Sequence, residues 1–208
     1  MKKIFCMILA FAVSLGLMAG FGNTDARAAD MSYAGETVEN KFVAEALTVL
    51  EIDSEASVKE ADEENFDVAI MKFTLTGEIA DSEGNAIANA AELAAKLAVK
   101  DVALVYRIDN SVIFEAFKTF YAASELKDVA VASAASSVLI DAAEVKNLNV
   151  YYIAEDISDR TAAASAITQA NAFGAQTIIL QGETNYDTIR YIQSRLKSVW
   201  VETESDKV

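Results

Sequence analysis

Short β-branched runs recur along this chain at intervals that leave room for one helix and two short loops. They begin near Val68, Val102, Val129, Val150, Ile178 and Val199, and the last four follow their predecessors by 27, 21, 28 and 21 residues. Each run is almost continuously apolar, as expected for a strand covered on both faces. The intervening segments carry helical periodicity. Between Ser111 and Tyr121, the residues Ile113, Phe114, Phe117, Phe120 and Tyr121 fall on one helical face. Between Asp159 and Phe173, Ala163, Ile167 and Ala170 repeat that spacing, and Gly174 stands where a left-handed residue closes a helix.

Further elements follow from local chemistry. The alternation from Val43 to Ile52 predicts a first strand with Leu47, Val49 and Ile52 buried, and Val68–Leu75 reads as the next. The acid-rich stretch 54–65 reads as a solvated helix or loop rather than a cation site. Asp81 to Asn85 supply a turn, followed by an alanine-rich helix over 87–99 that buries Ala90, Leu93 and Leu97. Thr184 and Asp187 pattern as a capping box opening the last helix, with Ile189, Ile192 and Leu196 pointing inward. Right-handed crossovers place successive strands parallel and adjacent. The fold class is therefore α/β, repeated βα units on a mainly parallel sheet. About seven strands are legible, whereas a closed eight-stranded barrel of this kind takes about 250 residues, so the sheet is open or an incomplete barrel.

The amino terminus has a different character. Lys2 and Lys3 precede an apolar run from Ile4 to Met18, and the segment ends in the small-x-small pattern Ala26-Arg27-Ala28. That is the form of a secretory signal peptide over residues 1–28, and it predicts a secreted or cell-surface protein, by a bacterial export route. The competing reading, a retained membrane anchor, is weakened by glycines at 16, 20 and 22. Cys6 lies at the start of the run, not at its end, so the pattern is not that of a lipoprotein. Residues 29–65 read as a leader with the first strand, 66–204 as the α/β unit and 205–208 as a tail. Cleavage after Ala28 leaves 180 residues carrying 14 basic and 31 acidic side chains and no Cys. Without disulfides, stability must come from core burial or from bound ions.

Composition narrows the chemistry. The chain of 208 residues contains no His. Imidazole-based triads and dyads, HExxH metal sites and two-His phosphodiesterase schemes are thereby excluded. A formal charge of −15 argues against nucleic-acid partners, whose phosphates call for Lys and Arg in excess. Neither GxGxxG nor GxxxxGK[ST] is present, and Gly182 stands alone after its strand. No GxSxG elbow occurs either.

In parallel α/β sheets, ligands meet the carboxyl ends of the strands. Read in order, those ends offer Arg107 and Asp109, Ser133, Glu155 and Asp156, Gln181 and Glu183, and Glu202 with Glu204. The candidate metal ligands are Asp109, Glu155, Asp156 and Glu183, because converging carboxylates hold Ca²⁺ or Mg²⁺ through oxygen alone. The competing reading is that such residues cap helices and solvate loops. Paired carboxylates also leave glycoside hydrolysis open, although sequence spacing does not fix their separation in space. Tyr106, Tyr151, Tyr152 and Trp200 lie in strands and read as core or barrel-interior residues.

Several stretches carry a family resemblance. Residues 102–109 (VALVYRID), 127–133 (KDVAVAS), 172–179 (AFGAQTII) and, most specifically, 186–201 (YDTIRYIQSRLKSVWV) resemble successive units of the glycerophosphodiester phosphodiesterase family, whose fold is a TIM barrel. The segments beginning at Asp67 and Gly77 resemble stretches found ahead of complete barrels in secreted members. The resemblance implies an incomplete or degenerate TIM-like barrel from about Asp67 to Glu204. The family's His-Arg-Gly, its Pro-Glu-Asn, and its Glu-x-Asp with a second His have no counterpart; Glu39-Asn40 keeps only a dipeptide. Its Glu-x-Lys falls on Arg107-Ile-Asp109, with the charges reversed. No catalytic residue is therefore carried over. The expectation is a non-enzymatic binding or accessory module without a resident cofactor, partnered by a small molecule or surface protein, reaching a membrane only through an uncleaved signal, and a candidate homo-oligomer. The alternative is a divergent metal-dependent phosphodiesterase working from the carboxylate rim.

Overall fold

The computed structural model describes residues 3–6, 47–182, 184–195 and 197–201. Seven parallel strands form its frame: β2 (Leu47–Ile52), β3 (Val68–Phe73), β6 (Ala103–Arg107), β7 (Val129–Ser133), β8 (Asn149–Glu155), β9 (Thr177–Gln181) and β10 (Ser198–Val201). They pair consecutively in that order. A hairpin of β4 (Glu78–Ala80) and β5 (Ala86–Asn89) folds back from β3. Strand β1 (Lys3–Cys6) runs antiparallel beside β2. It belongs to the segment with export-signal character, whose remainder lies outside the described residues, as do the leader and the expected strand residues 43–46. β1 also approaches β10 without pairing to it, so the sheet does not close. The expected α/β architecture, an incomplete TIM-like barrel, is what forms.

Helices α1 (Glu55–Glu63), α2 (Ala90–Val99), α3 (Ser111–Ala123), α4 (Ser136–Ala143), α5 (Arg160–Ala172) and α6 (Tyr186–Gln193) make the crossovers. Most start on a side chain that accepts orphan amide hydrogens: Ser54, Asn89, Asn110, Asp159 and Asn185. Gly174, at φ +68°, follows α5 in the left-handed conformation expected of it.

Strand parity separates two cores. Leu50, Ala69, Met71, Phe73, Leu104, Tyr106, Val129 and Val131 face the helices, where α3 adds Phe114 and Phe117. Phe73, Tyr106 and Phe117 meet there with ring centroids 5.1–5.9 Å apart. Val49, Val68, Ile70, Val105, Ala130, Ala132, Ile153, Ile179 and Trp200 fill the other face, the barrel interior. Tyr151 meets Trp200 edge to face at 5.1 Å, as expected of interior aromatics. Covering both faces removes apolar area from water on each, at about 25 cal/mol per Å².

Three local expectations are corrected. The alanine-rich helix starts at Ala90 rather than 87, because residues 86–89 pair with β4 and Asn89 caps the helix. Alanine tolerates both states, so the choice falls to tertiary pairing. The last helix is capped by Asn185, whose side chain accepts from the Thr188 amide, in place of the Thr184/Asp187 box. Strand β3 ends at Phe73, and Leu75 is exposed. In β2, Leu50 is buried alongside Val49 and Ile52, which two-sided burial explains.

Candidate functional site

A cavity of about 1070 Å³ opens at the carboxyl ends of the parallel strands, the end at which barrels of this type carry their sites. Its apolar lining includes Ile70, Ile108, Ala132, Ile153 and Val201. The polar lining includes Glu51, Asp53, Lys72, Asp81, Arg107, Asp109, Ser133, Glu155, Asp156, Gln181 and Thr184. Among the described residues, six carboxylates thus face two cations.

Both cations are engaged. Arg107 lies 3.1 Å from Glu51, with about a fifth of each side chain exposed. Burial pulls the Arg107 guanidinium downward in pKa, while the charges of Glu51 and Asp109 push it the other way; an arginine remains cationic under such opposing pulls. Lys72 lies 3.1 Å from Asp109 at a more exposed position. Lys72 and Arg107 are register partners on β3 and β6, so the carboxylates separate two like charges that the sheet brings side by side.

Backbone geometry shapes the opposite wall. Asp156 holds φ +51° and Gly182 φ +76°, and the Asp156 amide donates to the Gln181 carbonyl at 3.0 Å. A Cβ at Gly182 would collide with the Asp156 carboxylate. The positive φ favours glycine there, while the exposed Asp156 carboxylate is the group that would have to turn aside for a larger residue. Between the walls, the buried Ser133 hydroxyl donates to the Ile108 carbonyl at 2.6 Å and its oxygen accepts from the Ala135 amide at 3.1 Å. That one side chain ties the ends of β6 and β7 and takes the capping role at α4, whose N-cap, Ala135, offers no side-chain acceptor.

Of the candidate metal ligands, Asp109, Glu155 and Asp156 all line this cavity, whereas Glu183, with Glu202 and Glu204, lies outside the described residues. Asp109 is turned to Lys72. Among the described residues no three acidic, Cys or His side chains converge closely enough to hold a metal ion. Glu51 and Lys72 were not anticipated as mouth residues. Their signal is parity: Val49-x-Glu51 and Val68-x-Ile70-x-Lys72 place a charge on the interior face of an otherwise apolar strand.

No family model matches the chain, and no curated protein matches it in sequence. Solved structures do match in shape. A protein of Galdieria sulphuraria, provisionally assigned as a glycerophosphodiester phosphodiesterase, superposes with a TM-score of 0.57 at 12% identity, covering 74% of this chain and 82% of that one. A protein of Agrobacterium tumefaciens with the same provisional assignment gives a TM-score of 0.52 at 8% identity, covering 71% and 77%.

Proposed function

We propose that this chain, whose fold is that of glycerophosphodiester phosphodiesterase barrels left unclosed, is an exported, non-catalytic binding module that receives a small polar molecule or surface partner at its strand-end mouth. One observation carries the reading. In a chain without His, each of the two interior-facing cations at the mouth rests on a carboxylate of the protein itself. Cations so neutralised are poorly placed to clamp a phosphoryl group, and no imidazole is present to move a proton. The scaffold is the part held in common with the phosphodiesterases, and a scaffold hosts many functions.

The test is to follow both glycerophosphocholine release and the melting temperature of the full chain, with and without Ca²⁺ or Mg²⁺. The expected result is no release under any condition. A bound small molecule at 100 times its Kd stabilises by about 2.7 kcal/mol, so screening polar compounds by melting temperature finds the ligand. Release that is abolished by chelation and by Asp109→Asn would overturn the reading in favour of the metal-dependent phosphodiesterase working from the carboxylate rim.

A further inference from the structure

Three of the chain's five arginines, Arg160, Arg190 and Arg195, gather on one outer surface formed by α5 and α6. All three are exposed, and each lies over a tyrosine ring: Arg160 and Arg195 at 6.0 and 5.4 Å from Tyr191, Arg190 at 5.6 Å from Tyr186. No described carboxylate forms an ion pair with any of them. Asp159, the nearest acid in sequence to Arg160, accepts from the Thr161 and Ala162 amides, and Asp187 sits in the first turn of α6. Tyr186 is itself two-thirds exposed. Arginine and tyrosine are the side chains that most often dominate protein interfaces, and here they form a cationic, aromatic patch on a strongly acidic molecule.

The complementary surface lies at the other end of the strand order. Helix α1, next to the first parallel strand, exposes Glu55, Asp62 and Glu63, with Glu64 exposed at its C-cap; Lys59 is exposed among them, and the face stays net acidic. Asp62 pairs with Lys96 at 3.1 Å, and Lys100 Nζ donates to the carbonyls of Ala61, Asp62 and Glu64, while no described cation pairs with the carboxylates of Glu55 or Glu63. An acidic helix thus flanks β2 and an arginine-tyrosine helix precedes β10.

We propose that the α6 face docks on the α1 face of a second copy of this chain, a head-to-tail contact in which arginines of one protomer meet glutamates of the next. The contact is heterologous, because the two surfaces differ, so each protomer keeps one donor and one acceptor face. Net repulsion between two acidic molecules falls off over about 8 Å at physiological ionic strength, whereas the pairs form in contact. The surface is separate from the mouth cavity and independent of what binds there.

Mixing tests this geometry. One variant of the full chain carries Arg190→Glu with Arg195→Glu, and a second carries Glu55→Lys with Glu63→Lys; all four positions are exposed, and circular dichroism checks that each variant is folded. Masses are read by light scattering at 0.15 M salt. The wild type is expected to gain mass with concentration, and each variant alone to remain monomeric because its two faces then carry like charge. An equimolar mixture is expected to regain association, since native arginines meet native glutamates and the reversed faces are complementary to each other. A wild type that stays monomeric at the highest attainable concentration overturns the proposal. So do variants that associate like wild type, or a mixture that shows no recovery, which would place any contact on another surface or on a different acidic partner. If the arginine variant fails to fold, Arg190→Gln with Arg195→Gln replaces it, and Glu55→Gln with Glu63→Gln replaces the acidic one. Loss of association in the neutral variant supports the docking face, and association like wild type overturns it.

Discussion

Replacing Glu51 by Gln removes the charge that neutralises Arg107 while keeping the side chain's shape. The two groups lie 3.1 Å apart, and each is about four-fifths buried. At an effective dielectric near 20, a pair at about 4 Å between charge centres attracts by about 4 kcal/mol. Part of that offsets the desolvation of both ions. Leaving a buried partner uncompensated typically costs about 3–5 kcal/mol. Asp109 also acts on Arg107 and compensates in part, so the expectation for Glu51→Gln is a loss of about 2–3 kcal/mol. In a fold of this size that lowers the melting temperature by about 4–12 °C. The double variant Glu51→Leu with Arg107→Met removes both charges and is expected within about 1 kcal/mol of wild type. Urea unfolding followed by circular dichroism reads both values, and a constant slope shows that stability rather than compactness has changed. A Glu51→Gln chain as stable as wild type would refute the reasoning, because Arg107 would then not depend on Glu51. A double variant as damaged as the single would refute it equally, because the loss would then belong to packing.

Other expectations test the same structure elsewhere. The Tyr106 hydroxyl is fully buried among phenylalanines without a hydrogen-bond partner, so Tyr106→Phe should raise stability by about 1 kcal/mol in denaturant titrations. Burial also raises the Tyr106 pKa well above its ordinary value of 10.0. The folded state therefore holds that proton more tightly than the unfolded state. Its contribution is complete below pH 10 and is lost as pH climbs from there toward the folded value, so Tyr106→Phe should lose less stability above pH 10 than wild type. Gly182→Ala should cost about 1–3 kcal/mol through its positive φ, with the Asp156 carboxylate displaced, and a melting temperature unchanged from wild type would contradict that account. Ser133→Ala should cost about 1–3 kcal/mol, by leaving the Ile108 carbonyl and the Ala135 amide without their partner, and faster amide exchange at Ala135 should accompany it.

Much of the barrel mouth was readable from where strands stop. Arg107, Asp109, Ser133, Glu155, Asp156 and Gln181 follow or end apolar runs and all line the cavity. What escaped was the pairing. Nothing in the order of residues says that Arg107 turns to Glu51, two strands away across β3, or that Asp109 turns to Lys72. The hairpin β4–β5 escaped for a related reason, since Ala86–Asn89 has no pattern that distinguishes a strand from the first turn of a helix until β4 lies beside it.

The sequence by itself determined the alternation of strand and helix, because runs such as Val129–Ser133 and faces such as Phe114–Phe117 bury apolar area in only one periodic form each. It determined the loss of imidazole chemistry too, since an absent residue type is absent in any fold. Only the tertiary structure decided which carboxylate neutralises which cation, where β10 stops short of pairing with β1, and which surfaces are left exposed. Those outcomes depend on distances of a few ångströms between groups far apart in the chain, and electrostatic energy follows separation and burial in space rather than spacing in sequence.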